Sequence, residues 1–183
     1  MNTPFQIIRN RANNRQQLSE EWLQEQAQLL RVTPERFLQD TDRLVNRPML
    51  GRMYMFQYDP KLKESLSFYD TFPLVIPLEY NRTGFKGFNL HYLRPSVRAD
   101  VLDILKEYLT DNRMSDRTRI NITWDRVQRR LSLNELKKCI KSYLTTNVRS
   151  RFLNLLVEDW DLAVWMPADR FKKARRKRVW EEA

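Results

Sequence analysis

Two apolar runs, Phe72–Tyr80 and Phe85–Leu93, flank Asn81-Arg82-Thr83-Gly84, and this stretch narrows the possible folds more than any other. Asn and Gly turn a backbone tightly, so apolar segments of strand length on both sides predict an antiparallel hairpin. Pro73 and Pro77 punctuate the first run around Leu74, Val75, Ile76 and Leu78. A proline inside a strand predicts an edge position or a bulge. Gly87, within the returning run, predicts a bulge or a close approach of another backbone. Met53–Tyr58 is aromatic and strand-like until Asp59-Pro60 stops it, which supplies a further strand.

Helical signals surround this sheet. Gln16–Arg31 carries Leu18, Trp22, Leu29 and Leu30 on or near one stripe. Thr33-Pro34 restarts a helix, Thr as N-cap and Pro at the first helical position, and the apolar spacing carries it through Phe37, Leu38, Leu44 and Val45 to about Asn46. Arg94-Pro95-Ser96 opens a helix to about Leu109, with Val97, Val101, Leu102, Leu105 and Leu109 on its buried face. After a loop at Asp111–Ser115, Ile120-Asn121-Ile122 reads as a short strand or as the approach to a helix beginning near Thr123. Ser132-Leu133-Asn134-Glu135 has the spacing of a capping box and predicts a helix to about Leu144. Arg149–Leu155 and Leu162–Met166 complete the expected strands. The predicted fold is α+β, a small antiparallel sheet with helices at both ends, and its specific form is a small closed SH3-like barrel with Arg94–Leu144 as a helical insertion. Residues 1–46 form a helical N-terminal arm in this reading, and residues 47–183 an α+β core ending in a basic C-terminal helix.

Composition excludes several classes. The 183 residues are 42% hydrophobic, enough for a real core, and only three are glycine. One cysteine, Cys139, permits no internal disulfide and fits a reducing compartment. No apolar run approaches a membrane span, and the polar, arginine-bearing Met1–Arg15 lacks the apolar centre of a secretory signal, so a soluble intracellular product with no membrane partner is expected.

Catalytic chemistry finds little to use. His91, the single histidine, lies between Leu90 and Tyr92 in a predicted strand and reads as a satisfied structural residue. Cys139 sits among lysines on a predicted helix and reads as a small packing residue. One Cys and one His cannot make a structural zinc site, and neither a Walker loop nor a dinucleotide fingerprint is present. No cofactor and no small-molecule substrate are expected. Asp116 or Asp125 followed by Glu135-Leu136-Lys137 mimics the D…E-x-K set of metal-dependent nucleases. In those enzymes Glu and Lys share the face of a strand, whereas Glu135 here reads as a helix cap. Glu158, Asp159 and Asp161 read as a helix N-terminus followed by a turn.

Charge is the stronger clue. Of the 33 Lys/Arg and 23 Asp/Glu, Arg126–Ala183 holds 15 and 7, leaving 18 and 16 for everything before it. A basic surface so concentrated predicts a polyanionic partner, duplex DNA above all. The residues expected to meet it are Lys137, Lys138 and Lys141 on one helical stripe and Arg149 and Arg151 on one face of a strand. Lys172, Lys173, Arg175, Arg176, Lys177 and Arg178 complete the set in the terminal run. Phe171 and Trp180 bracket that run as anchors to the body. Nothing in it encodes base readout, so contacts should be to phosphates and sequence-neutral.

Five strings carry a resemblance: Gly51–Lys61, Phe68–Val75, Gly84–Leu93, Tyr143–Phe152 and Trp160–Ala163. They resemble virion proteins of T-even-type tailed bacteriophages, the DNA end protector group, and the likeness runs from about Asn46 to Trp180. The resemblance implies a protein bound to the ends of packaged double-stranded DNA, shielding them from host exonuclease and helping to complete the head. It implies a virion location after assembly in the host cytoplasm, with portal, neck or tail proteins as neighbours. It brings no site residues with it. Two alternatives stay open: a structural protein of the neck, tail or baseplate whose basic tail docks on acidic subunits, and a metal-dependent nuclease.

Overall fold

The computed structural model describes residues 3–12, 19–109 and 111–182. The chain opens with α1 (Pro4–Ala12), α2 (Glu20–Leu29) and the single turn α3 (Pro34–Phe37), then enters strand β1 (Leu44–Val45). Next come β2 (Met53–Met55), β3 (Tyr69–Asp70), β4 (Leu74–Asn81) and β5 (Gly84–Asn89), followed by α4 (Pro95–Leu109), α5 (Asp116–Arg130) and α6 (Leu133–Cys139). The chain finishes as β6 (Ile140–Leu144), β7 (Phe152–Leu155), α7 (Trp160–Trp165), β8 (Phe171–Lys172) and α8 (Arg176–Glu181). Six strands form one antiparallel sheet in the order β1-β7-β2-β4-β5-β6, and β3 pairs with β8 in a small second sheet.

The hairpin is as expected. Asn81 and Gly84 pair across the two-residue turn, and the Asn81 side chain accepts from the Thr83 amide at 3.0 Å. β4 is an interior strand, so Pro77 is accommodated by the other device, a register shift between Pro77 and Glu79. Both hairpin glycines answer close approaches. A Cβ on Gly84 would lie 1.9 Å from the Tyr143 carbonyl oxygen, and one on Gly87 would lie 2.3 Å from a Val75 methyl. Caps also appear where the sequence places them: Thr33 accepts from the Arg36 amide, and Ser132 and Glu135 make a complete capping box.

Alternation divides the sheet into two faces. Met53, Met55, Leu74, Ile76, Phe88, Leu153 and Leu155 point into the main core, which α1, α2, α4 and α7 also fill with Phe5, Leu23, Val101 and Val164 among others. The opposite face holds an aromatic cluster in which Phe56 lies 4.8 Å from the Phe152 ring and 5.3 Å from the Tyr143 ring. Each such buried ring stabilises the fold by about 1.5–3 kcal/mol.

Several expectations are corrected. The sheet is not a closed barrel: β1 and β6 are its two ends, and among the described residues one isolated bridge, Tyr58–Val148, lies outside the named strands. The helix begun at Thr33 stops at Phe37, because Leu44 and Val45 pair with Leu153 and Phe152 of β7. Of the helix expected over Gln16–Arg31, α2 occupies Glu20–Leu29, capped by Ser19, while Gln16–Leu18 lie outside the described residues. Ile120–Ile122 sits inside α5, which Ser115 caps and which begins at Asp116, seven residues before Thr123. The helix from Ser132 ends at Cys139, and Ile140–Leu144 instead forms the edge strand that pairs with β5. Leu162–Met166 belongs to α7 and its C-cap, its buried residues packing in consecutive positions rather than alternating. His91 lies in a 3₁₀ turn, Leu90–Tyr92, that ends the return strand.

Candidate nucleic-acid interface

A buried polar hub sets where the C-terminal basic segment lies. The Asp70 carboxylate takes the His91 Nδ1–H at 2.6 Å and accepts from the backbone amides of Phe72 and Arg170, each at 3.0 Å. Burial alone would raise the Asp70 carboxyl, but the His91 ring and those two amides outweigh it and hold it below the usual range. The His91 carbonyl accepts from Arg98 at 3.1 Å and from the Trp180 indole at 3.0 Å. Arg98 is fully buried and donates as well to the carbonyls of Leu93 and Val164, with its guanidinium 5.5 Å from the Trp180 ring centre. Burial pushes the Arg98 guanidinium down to about 10, still charged at neutral pH. β3 and β8 clamp the same segment, and Phe171 meets Tyr92 edge-on at 5.3 Å. Phe171 and Trp180 therefore do anchor the run. His91 Nε2 is buried without a partner among the described residues, so the ring is satisfied at one nitrogen only and is closed to solvent chemistry.

The cations on this frame differ in what holds them. Lys138 donates to the Trp180 carbonyl at 3.2 Å, and Lys141 lies 4.3 Å over the Tyr92 ring. Tyr92 in turn packs on Phe171, so α6, β6 and the terminal segment share one neighbourhood. Lys138 and Lys141 reach it from a helix and a strand, not from one helical stripe. Burial lowers the Lys141 ammonium below the usual lysine range. Lys137, Lys172 and Arg175 are exposed and make no ion pair among the described residues.

The remaining predicted residues have partners. Lys173 donates to the carbonyls of Lys63, Glu64 and Leu66 at 2.7, 3.0 and 3.2 Å, which uses all three N–H groups of its ammonium. Arg176 meets the buried Asp169 at 2.5 Å and the Pro167 carbonyl at 2.9 Å. Lys177 and Arg178 face Glu181 and Glu182 one helical turn on, at 3.9 and 2.5 Å. Arg149 and Arg151 do not share a strand face, because β7 begins only at Phe152. Arg149 lies 3.6 Å from Asp59, whereas Arg151 binds Asn46 and the Leu44 carbonyl.

Sequence reasoning passed over two basic features. Arg170 stands just before Phe171 and the terminal run, and its guanidinium donates to the carbonyls of Val32, Pro167, Ala168 and Asp169. α5 carries Arg117, Arg119, Arg126, Arg129 and Arg130, a density hidden when Ile120–Ile122 is taken for a strand. The Ser115 cap followed by arginines at helical spacing was the available signal. For other chemistry the frame offers little. Glu135 is spent in its capping box, and Cys139 is fully buried, its thiol pushed up to about 12 by burial. No group of three or more potential metal ligands occurs among the described residues, and no helix there is long and apolar enough to cross a membrane.

Comparison with known proteins adds one finding. A family model described as phage T4 terminal DNA protecting protein matches residues 5–183. No curated protein and no solved structure matches the chain.

Proposed function

The chain belongs to the family of phage T4 terminal DNA protecting proteins, and from that premise we propose that it binds the ends of packaged double-stranded DNA in the virion, shields them from host exonuclease and helps to complete the head. The observation that carries this reading is a set of exposed cations without ion pairs among the described residues, Lys137 on α6 and Lys172 and Arg175 on the terminal segment, with Lys138 and Lys141 contacting the residues that Asp70, His91 and Trp180 fix to the body. Fixed cations spare DNA binding the entropy of ordering a loose tail. Their contacts are to phosphates, hence sequence-neutral and salt-sensitive. The role is non-enzymatic. The protein acts by occupying the terminus, among portal, neck or tail subunits, after assembly in the host cytoplasm.

Gel-shift titration of linear and covalently closed duplex, combined with digestion of the linear form by a duplex exonuclease, tests this. Tighter binding to the linear form and retention of its full length are expected. Equal binding to both forms without protection would transfer the basic segment to docking on acidic virion subunits, the role of a neck, tail or baseplate protein. Degradation of either DNA by the protein with magnesium alone would instead point to a nuclease.

A further inference from the structure

The C-terminal end of α2 and the segment Pro167–Arg176 enclose a groove of about 380 Å³ lined by Arg31, Arg170 and Arg176, with no carboxylate in its wall. Asp169 is buried against Arg176, and the Glu35 carboxyl is lowered by a backbone hydrogen bond and Thr33 first, with a smaller contribution from the Arg170 charge. Arg170 is held by four carbonyls, three on its Nη1 group and one on Nη2, which fix the guanidinium without cancelling its charge. Arg36 stands nearby, bonded to the Leu30 carbonyl.

Arg31 is unusual in its backbone. The amide of Val32 bonds to the Ala27 carbonyl and that of Arg31 to the Gln28 carbonyl, which closes α2 in a Schellman motif and puts Arg31 at the left-handed position, φ +46°. Glycine fills that position at least cost and Asn next, whereas a long side chain is strained there. The other non-glycine residue with positive φ among the described residues is Lys173, whose ammonium is fully engaged. Arg31 has no such engagement. It is exposed, with no side-chain partner among the described residues, and its charge lines the groove. No contact of the Arg31 side chain among the described residues accounts for the strained conformation, and its open charge at the groove gives that side chain a use.

We infer that this groove is a phosphate-binding site, in which Arg31 and Arg170 extend the C-terminal cationic surface onto α2. That the phosphate belongs to DNA rests on the function proposed above. Planar guanidinium groups grip phosphate oxygens in pairs. Arg31 offers its whole fork and Arg170 an uncancelled charge with its Nε–H unbonded among the described residues, while Arg176, paired with Asp169, only borders the groove.

Arg31→Asn is the variant of choice, because Asn tolerates the left-handed conformation and the melting temperature should be unchanged or higher. Inorganic phosphate titrated at constant ionic strength should broaden in ³¹P NMR with the wild-type protein and stay sharp with Arg31→Asn. Duplex affinity should fall about ten-fold, with the log–log salt slope flatter by about one unit. A loss confined to linear duplex bearing a 5′-phosphate identifies a terminal phosphomonoester. An equal loss on 5′-hydroxyl linear and closed circular DNA identifies an internal phosphodiester. Phosphate broadening by a wild-type protein that binds no duplex would leave the site standing and remove the proposed function. Absence of broadening with the wild type, or identical broadening with Arg31→Asn, overturns the site even where duplex binds.

Discussion

α5 and the segment from Arg170 to Arg178 are both dense in cations, yet they present different potentials. On α5, Arg119 faces Asp116, Arg129 faces Asp125 at 2.8 Å, and Arg130 reaches Asp100 on α4. In the C-terminal segment Arg176, Lys177 and Arg178 also face carboxylates, but Arg170 and Lys173 are held by backbone carbonyls, as are Lys138 and Arg98 beside it. The side chains of Lys172 and Arg175 make no ion pair or hydrogen bond among the described residues. A carboxylate satisfies a cation's donors and cancels its charge. A carbonyl satisfies the donors and leaves the charge. Carboxylate-paired arginines therefore make a solvated helix of α5, whereas the carbonyl-held and unpaired cations make an electropositive surface of the C-terminal segment.

The buried extreme of the carbonyl-held cations offers the largest effect. Arg98→Met leaves the Leu93 and Val164 carbonyls without this donor inside the core, and the cost should be about 2–5 kcal/mol, read as a lower urea midpoint. Wild-type stability in that variant would show that the hub does not fix the segment, and the contrast with α5 would lose its basis. Next in size is a paired experiment on binding. Lys137, Lys172 and Arg175 changed together to Gln should cost about 10²-fold in duplex affinity near 0.1 M salt. Arg119, Arg129 and Arg130 changed to Gln should cost no more than about three-fold, since each already faces a carboxylate. Equal losses would erase the distinction. The smallest effect runs the other way. Glu181→Gln with Glu182→Gln frees Lys177 and Arg178 from exposed pairs, and affinity should rise about two- to five-fold with little change in stability. A fall in affinity would mean that those carboxylates order the helix more than they neutralise it.

How much was legible in the sequence depends on the range of the interaction responsible. The Asn81–Gly84 turn, the Thr33 and Ser132 caps and the buried face of α4 follow from neighbours within a few residues, and they appear as expected. Leu44–Val45 and Ile140–Leu144 continue helical patterns smoothly, yet both are strands, because their partners lie more than fifty residues away in β7 and β5. Of the predicted DNA-facing residues, the terminal run was visible as composition. Its division into free, carbonyl-held and carboxylate-paired members was not, and Arg31 gave no local sign of joining it.

The sequence by itself determined that this chain has a hairpin-centred α+β core, capped helices and an excess of positive charge toward its end, since turns, caps and charge counts are local or additive. Tertiary structure alone decided that the sheet stays open, that two apolar runs become edge strands, and which cations keep an uncancelled charge. The physical reason is common to all three. Strand pairing and charge compensation depend on which distant groups come within about 3 Å, the reach of a hydrogen bond, and a linear pattern carries no record of that distance.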